Sequence, residues 1–151
     1  MNSRLIVESH DALLRTLAEF RFELRRFLHF SERAAEQAGL HPQQHQLLLQ
    51  VAGAPEGAVV TIAYAAERLG LKHNSAVELV GRSEHEGLLT RTVDPGDKRR
   101  AILRVTRKGK HILGKLTGDH ARELNELPPR LALALEQIKL HARGGAGAEA
   151  R

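Results

Sequence analysis

The sequence predicts a mainly α chain with one small β-hairpin, and three observations carry that prediction. Apolar residues recur at alternating three- and four-residue steps over most of the chain, the spacing of amphipathic helices. Aromatics make up 3% of the residues, with no Trp, so the core must be built of Leu, Ala, Val and Ile, which favours helix packing over a β-sandwich. A single turn-forming cluster, Asp94-Pro95-Gly96-Asp97-Lys98, separates two short strand-like runs.

The elements follow in order. Leu13, Leu17, Phe20, Leu24, Phe27, Ser31, Ala34 and Ala38 form a narrow apolar seam, which predicts a helix from about Ser9 to Ala38. At 1.5 Å per residue this helix is roughly 45 Å long, more than the diameter of a small domain, so part of it needs a partner outside its own core. Gly39 stops it. His41-Pro42 opens a second helix, since proline is favoured at the first helical position, and Leu47, Leu48, Val51 and Ala52 give that helix its apolar face. Gly53, Pro55 and Gly57 make a loop before Val59-Val60. Thr61 is placed to cap a short helix carrying Ile62, Ala65, Ala66 and Leu69, which Gly70 ends. Asn74 or Ser75 is predicted to cap the next helix, which runs to Glu86 and closes at Gly87. Two short helices joined by a tight glycine turn read as a helix-turn-helix.

Leu88 to Val93 and Arg99 to Val105 are the predicted strands of the hairpin. On the second strand Ala101, Leu103 and Val105 share one face and Arg100, Ile102 and Arg104 the other. Thr106 is the predicted N-cap of a helix running through Ile112, Leu113, Leu116 and Leu124 to Leu127. Pro128-Pro129 breaks it, and a further helix resumes with Leu131, Leu133, Leu135, Ile138 and Leu140. The Gly/Ala-rich tail from Gly144 to Arg151 is predicted to be disordered.

At 151 residues the chain fits one domain with an attached oligomerisation element, and two enzymatic domains do not fit. It has no cysteine, which excludes a disulfide framework, a thiolate zinc site, an iron–sulfur cluster and a thiol switch. No signal-like segment opens the sequence and no apolar run is long enough to span a bilayer, so a cytoplasmic protein is expected. Neither a glycine-rich phosphate loop nor a nucleophile elbow nor a paired-carboxylate pattern is present, and Glu84-His85-Glu86 makes no zinc-protease motif, so an enzyme is not expected.

The formal net charge is +5, but its placement says more than its size. Arg91, Lys98, Arg99, Arg100, Arg104, Arg107, Lys108 and Lys110 crowd the hairpin and the start of the next helix against only Asp94 and Asp97. That stretch alone carries about +6, so the rest of the chain is close to neutral and a polyanion is the implied partner. The cations Arg107, Lys108 and Lys110 also stand in a first helical turn, where the helix dipole prefers anions; a neighbouring phosphate would reverse the sign of that effect.

The order of these elements, with the wing-like segment Asp94-Pro95-Gly96-Asp97-Lys98-Arg99 followed by Leu103-Arg104-Val105-Thr106-Arg107-Lys108-Gly109, resembles the MarR family of winged helix-turn-helix regulators. Ala66-Glu67-Arg68-Leu69 and the run from Ser75 to Gly87-Leu88 are similar to that family's helix-turn-helix, and the resemblance extends over residues 9–142. It implies a winged helix-turn-helix with a helical dimerisation region: a homodimer whose N- and C-terminal helices interdigitate, and which binds near-palindromic double-stranded DNA. One recognition helix enters each major groove, and the wings reach the flanking minor groove. Members are mostly repressors, released by a small phenolic or lipophilic ligand, by oxidation or by a metal. Residues 1–38 would then be a dimerisation helix, 39–110 the DNA-binding region, 111–142 further dimerisation helices and 143–151 the disordered tail. Three positions depart from the family: Lys98 replaces an arginine, Ser83 stands where leucine is usual, and Glu78 puts a carboxylate on the groove face, where it would pair with a cytosine amino group or a wing arginine.

With Ala76, Leu79 and Val80 inward, the predicted groove-facing residues are Lys72, His73, Asn74, Ser75, Val77, Glu78 and Arg82. In the wing, Lys98 and Arg99 are the expected tip contacts. Arg100, Arg104, Arg107 and Lys108 are assigned to phosphate, and Asp97 is a turn residue or the acceptor that holds Arg99. Family ligand sites lie between the dimer helices and the winged region, which points to Arg21, Arg25, His29 and His45 for a small anionic or phenolic ligand. No cofactor and no metal are expected. Two alternatives remain open: a metal-responsive regulator using His41, His45, His111 or His120, and a helical interaction module without specific DNA binding.

Overall fold

The computed structural model describes residues 2–125 and 128–146. The elements run α1 (Asn2–Gln37), α2 (Pro42–Ala52), α3 (Ile62–Leu69), α4 (His73–His85), β1 (Leu89–Asp94), β2 (Asp97–Val105), α5 (Arg107–Leu124) and α6 (Pro128–Ala146). They form two compact units, Glu32–Asp119 and a second made of Met1–Ser31 with His120–Arg151.

In the unit Glu32–Asp119, Leu47 and Leu48 of α2, Ala65 of α3, Leu79 and Val80 of α4, Leu88, Leu89, Leu103 of the hairpin and Leu113 and Leu116 of α5 make one aliphatic core. Each element begins or ends for a local reason. His41 caps α2: its Nδ1 accepts from the Gln43 N–H (3.2 Å), and the Gln44 side chain accepts from the His41 N–H (3.0 Å), a capping box followed by Pro42. Thr61 caps α3 through the Tyr64 N–H, as its sequence position predicts. Gly70 then adopts φ 63°, a left-handed conformation that side chains resist, and its N–H and that of Leu71 return to the last carbonyls of α3. This turn delivers the chain directly into α4.

The cap expected at Asn74 or Ser75 is not there. Lys72 is the N-cap residue of α4 and makes no side-chain cap, so Asn74 and Ser75 lie inside the first helical turn. The hairpin is also longer and its turn tighter than expected. β1 and β2 reach Asp94 and Asp97, which pair across Pro95-Gly96, because the Asp94 carboxylate accepts from the Gly96 N–H (2.8 Å) and closes the turn within two residues. The Val60 carbonyl accepts from the Leu103 N–H (2.8 Å) along the outer edge of β2. Thr106 caps α5, accepting from the Gly109 N–H (3.1 Å) while its own hydroxyl donates to the Gly87 carbonyl (2.6 Å). Gly109 is required there, since a Cβ at that position would sit 2.3 Å from the Leu88 carbonyl oxygen and 2.7 Å from Val105 Cγ1.

In the second unit α1 starts at Asn2, earlier than the predicted Ser9. The predicted seam holds at Phe20, Phe27 and Ser31, but Leu17 and Leu24 are exposed. Glu23 is buried in their place, accepting from Arg130 of α6 (3.3 Å) and from Arg26 one turn on (3.5 Å). His120 Nε2 lies 2.7 Å from the buried Ser31 hydroxyl, with the Phe27 and Phe30 rings edge-on to it. α5 ends at Leu124, short of the expected Leu127, and α6 begins at Pro128 itself, so the proline pair opens that helix; residues 126 and 127 lie outside the described residues. Gly144 and Gly145, expected in a disordered tail, belong to α6, and the rest of that tail, 147–151, lies outside the described residues.

Candidate nucleic-acid interface

Helix α4 presents the surface its sequence pattern predicts. Ala76, Leu79, Val80 and Ser83 are buried at helical spacing, which turns Lys72, His73, Asn74, Ser75, Glu78 and Arg82 to solvent and leaves Val77 half-buried. Ser83, where an apolar residue would be the ordinary choice, is fully buried, and its hydroxyl donates to the Leu79 carbonyl (2.8 Å), so the polar atom has its partner within the helix. The first turn of α4 carries no acidic side chain and no side-chain cap, which leaves its backbone N–H groups and the positive end of the helix dipole directed outward.

The hairpin is fixed to the other end of this helix. Glu84 accepts from the Arg91 backbone N–H (3.0 Å) and from its guanidinium Nε and Nη2 (3.2 and 2.9 Å), which ties the end of α4 to β1. Those bonds hold the Glu84 carboxyl below its ordinary pKa and raise that of Arg91. Lys108 Nζ donates to the Glu86 carbonyl (2.8 Å), satisfying the C-terminal end of the same helix from the start of α5. Sequence reasoning placed Lys108 on phosphate and gave Glu84 no role. Nothing in residue spacing links a helix end to a strand seven residues on. The α4 carboxylate that pairs with a wing arginine is therefore Glu84 and not Glu78.

Two further pairs shape the wing. Asp97 accepts from Arg99 Nε (3.0 Å), Nη2 (3.2 Å) and backbone N–H (3.1 Å), yet the Arg99 side chain remains 91% exposed. Asp97 is thus the acceptor for Arg99 that the sequence anticipates. Asp94 accepts from Arg100 Nε (2.6 Å), which gives Arg100 a structural bond beside the phosphate role assigned to it. The hydrogen bond from each arginine lowers the pKa of its aspartate, with the Gly96 N–H adding to the effect at Asp94. Lys98, Arg104 and Arg107 are exposed. The result is a cationic hairpin with a rigid base beside an exposed helix face.

The residues proposed for a small ligand do not come together within either unit. Arg21, Arg25 and His29 are exposed on α1, whereas His45 is buried in the core of Glu32–Asp119. The histidines considered for a metal are spread in the same way: His41 caps α2, His111 is exposed on α5 and His120 contacts Ser31. Among the described residues no three His, Asp or Glu side chains are grouped as a metal site requires. No helix among them is long and apolar enough to cross a membrane.

Comparison with known proteins bears on this geometry. Residues 38–100 match the sequence model of the MarR family. No curated protein matches the chain by sequence. Among solved structures the fold is similar to that of a MarR family transcription regulator, with 18% identity, 97% of this chain and 99% of that chain covered, and a TM-score of 0.75. It is also similar to S. aureus MepR in a complex with DNA, at 19% identity over 85% of this chain and 93% of that one, TM-score 0.65. A third similar structure is CouR from Rhodococcus jostii bound to p-coumaroyl-CoA, at 25% identity over 72% of this chain and 67% of that one, TM-score 0.53.

Proposed function

From a chain that carries the MarR-family winged helix, matched by sequence over residues 38–100 and by fold along its length, we infer a sequence-specific double-stranded DNA-binding regulator, a repressor that binds a near-palindromic operator as a homodimer. The observation that carries this reading is the locking of a cationic hairpin to the exposed helix α4 through Glu84–Arg91, with the start of α5 held to the same helix end through Lys108–Glu86. In this reading Asn74, Ser75, Val77, Glu78 and Arg82 meet base edges in the major groove, and the uncapped first turn of α4 with Lys72 and His73 receives a backbone phosphate. Lys98 and Arg99 reach the flanking groove, and Arg100, Arg104 and Arg107 contact phosphates. MepR, similar in fold, is itself seen on DNA.

Dimerisation is supported by apolar side chains that this chain does not cover. Leu14 and Phe22 of α1 are 52% and 55% exposed, and Leu133 and Leu140 of α6 are 65% and 66% exposed, all in the unit formed by the chain's two ends. Exposed large apolar side chains on both terminal helices fit cover by a second copy of the same chain. Release by a small ligand completes the reading, and CouR, seen with p-coumaroyl-CoA, is a ligand-bound protein of similar fold.

Selection from a random duplex library tests the proposal. Enrichment of a sequence with two half-sites about one helical turn apart supports a two-fold dimer reading both grooves. Recovery of no enriched sequence, or of a single half-site, contradicts it.

A further inference from the structure

An open cleft of about 640 Å³ lies within the unit Glu32–Asp119, between the end of α2, the loop that follows it and the outward face of β2. That volume is in the range of small-molecule sites. Its floor is aliphatic, formed by Val51, Pro55, Val59 and Ile102, with no aromatic side chain. Its polar groups are Arg100, Arg104, Lys110 and the single carboxylate Asp94. Asp94 is already matched, because Arg100 Nε donates to it. Only that nitrogen of Arg100 is engaged there, so its two terminal NH2 groups remain as donors. The cleft thus combines an apolar floor with an uncompensated positive rim.

We propose that this cleft binds an amphipathic anion with a carboxylate head and a short aliphatic tail, the head on Arg104, Lys110 and the terminal nitrogens of Arg100, the tail on Val59 and Ile102. A carboxylate is favoured because a guanidinium can meet it with paired N–H donors. An aliphatic tail is favoured because the apolar lining offers only aliphatic carbons, from valine, isoleucine, leucine, alanine and proline. The site lies wholly inside the winged unit and shares none of the residues Arg21, Arg25, His29 and His45. Its consequence rests on the DNA-binding reading above: a head group on Arg100 and Arg104 withdraws cations from the DNA backbone, so the ligand opposes DNA binding.

Amide proton–nitrogen correlation spectra of the intact protein, titrated with acetate, butanoate, hexanoate and octanoate, test the site without DNA. The expected result is saturable shifts centred on Val59, Ile102, Arg104 and Lys110. Affinity should rise about two- to fourfold per added methylene, the upper figure corresponding to about 0.8 kcal/mol for full burial of each CH2. Val59→Asp, at an exposed loop position, should weaken octanoate at least tenfold, and Lys110→Gln should weaken the whole series without changing its slope. Equal affinity for acetate and octanoate, shifts centred elsewhere, or inorganic phosphate binding as tightly as octanoate would overturn the site. DNA titrations with and without octanoate then address the consequence separately. The salt slope should fall by about 0.9 for each cation withdrawn, and octanoate binding with unchanged DNA affinity overturns the antagonism alone.

Discussion

Gly109→Ala is the substitution whose effect follows most directly from the packing. In an ordinary helix interior, replacing glycine by alanine stabilises by about 0.5–1 kcal/mol, because the unfolded chain has less freedom to lose. At Gly109 the new methyl would stand 2.3 Å from the Leu88 carbonyl oxygen, 3.2 Å from the Leu88 carbonyl carbon and 2.7 Å from Val105 Cγ1. Two of these atoms are backbone, and the Leu88 carbonyl is already held by the Thr106 N–H at 3.0 Å, so the strand cannot give way without losing that bond. Overpacking of this kind costs about 1–3 kcal/mol, more than the helix propensity returns, and the net effect should be a loss of about 1–2 kcal/mol. Gly114→Ala supplies the control, because it lies in the same helix and no atom comes within 4 Å of its added Cβ. Urea unfolding of both variants and wild type at one protein concentration gives the comparison. Gly114→Ala should be as stable as wild type or more so and Gly109→Ala clearly less. Equal stability of the two variants would refute the close approach of α5 to the Leu88 carbonyl.

Three further outcomes follow from the site. Glu84, Asp94 and Asp97 all have pKa values held below the ordinary carboxylate range, so their pairs contribute stability above about pH 4 and lose it as pH falls through the lowered values. Hydrogen exchange of the Arg91 amide, which donates to Glu84, should therefore accelerate in acid relative to the α2 amides; a ratio that stays constant after the Glu84 carboxyl has been protonated would contradict the clamp. Ser83→Ala should change stability by less than about 1 kcal/mol, since the Leu79 carbonyl keeps its helix bond, whereas Ser83→Leu should cost about 1–3 kcal/mol in denaturant unfolding because it enlarges a fully buried side chain. Asn74→Ala or Arg82→Ala should change which bases are preferred by about 1–3 kcal/mol per lost bidentate pair. Arg99→Ala should weaken all duplexes alike if Arg99 touches phosphate, and competition binding against a panel of single-base variants separates the two patterns.

What the sequence made legible was decided by short-range chemistry. The Thr61 cap, the Gly70 turn, the alternation on β2 and the inward row of Ala76, Leu79 and Val80 rest on neighbours within four residues, and all of them appear in the structure. Lys72 escaped notice as the start of α4 because Asn74 and Ser75 are better capping residues, and the αL turn at Gly70 begins the helix before either is reached. Asp94 and Asp97 look like loop residues in sequence, yet they pair across the turn after a register shift at Val93/Asp94, and their carboxylates accept from Gly96, Arg99 and Arg100 there. Glu84, Lys108 and the cleft beside β2 depend on segments distant in sequence, which no local rule joins. Glu23 is a further case of the same kind: a carboxylate on the inward face of α1, legible only once Arg130 of α6 is seen beside it.

Fluorescence anisotropy of the purified protein with a duplex from upstream of its own gene, and with a scrambled duplex of the same length, across a salt series near physiological strength, tests the central claim most directly. The account predicts binding to the upstream duplex at least about 10³-fold tighter than to the scrambled one, with a steep fall in affinity as salt rises from cation–phosphate contacts of the wing. Equal and weak binding to both duplexes would contradict it, leaving the exposed face of α4 without a sequence to read.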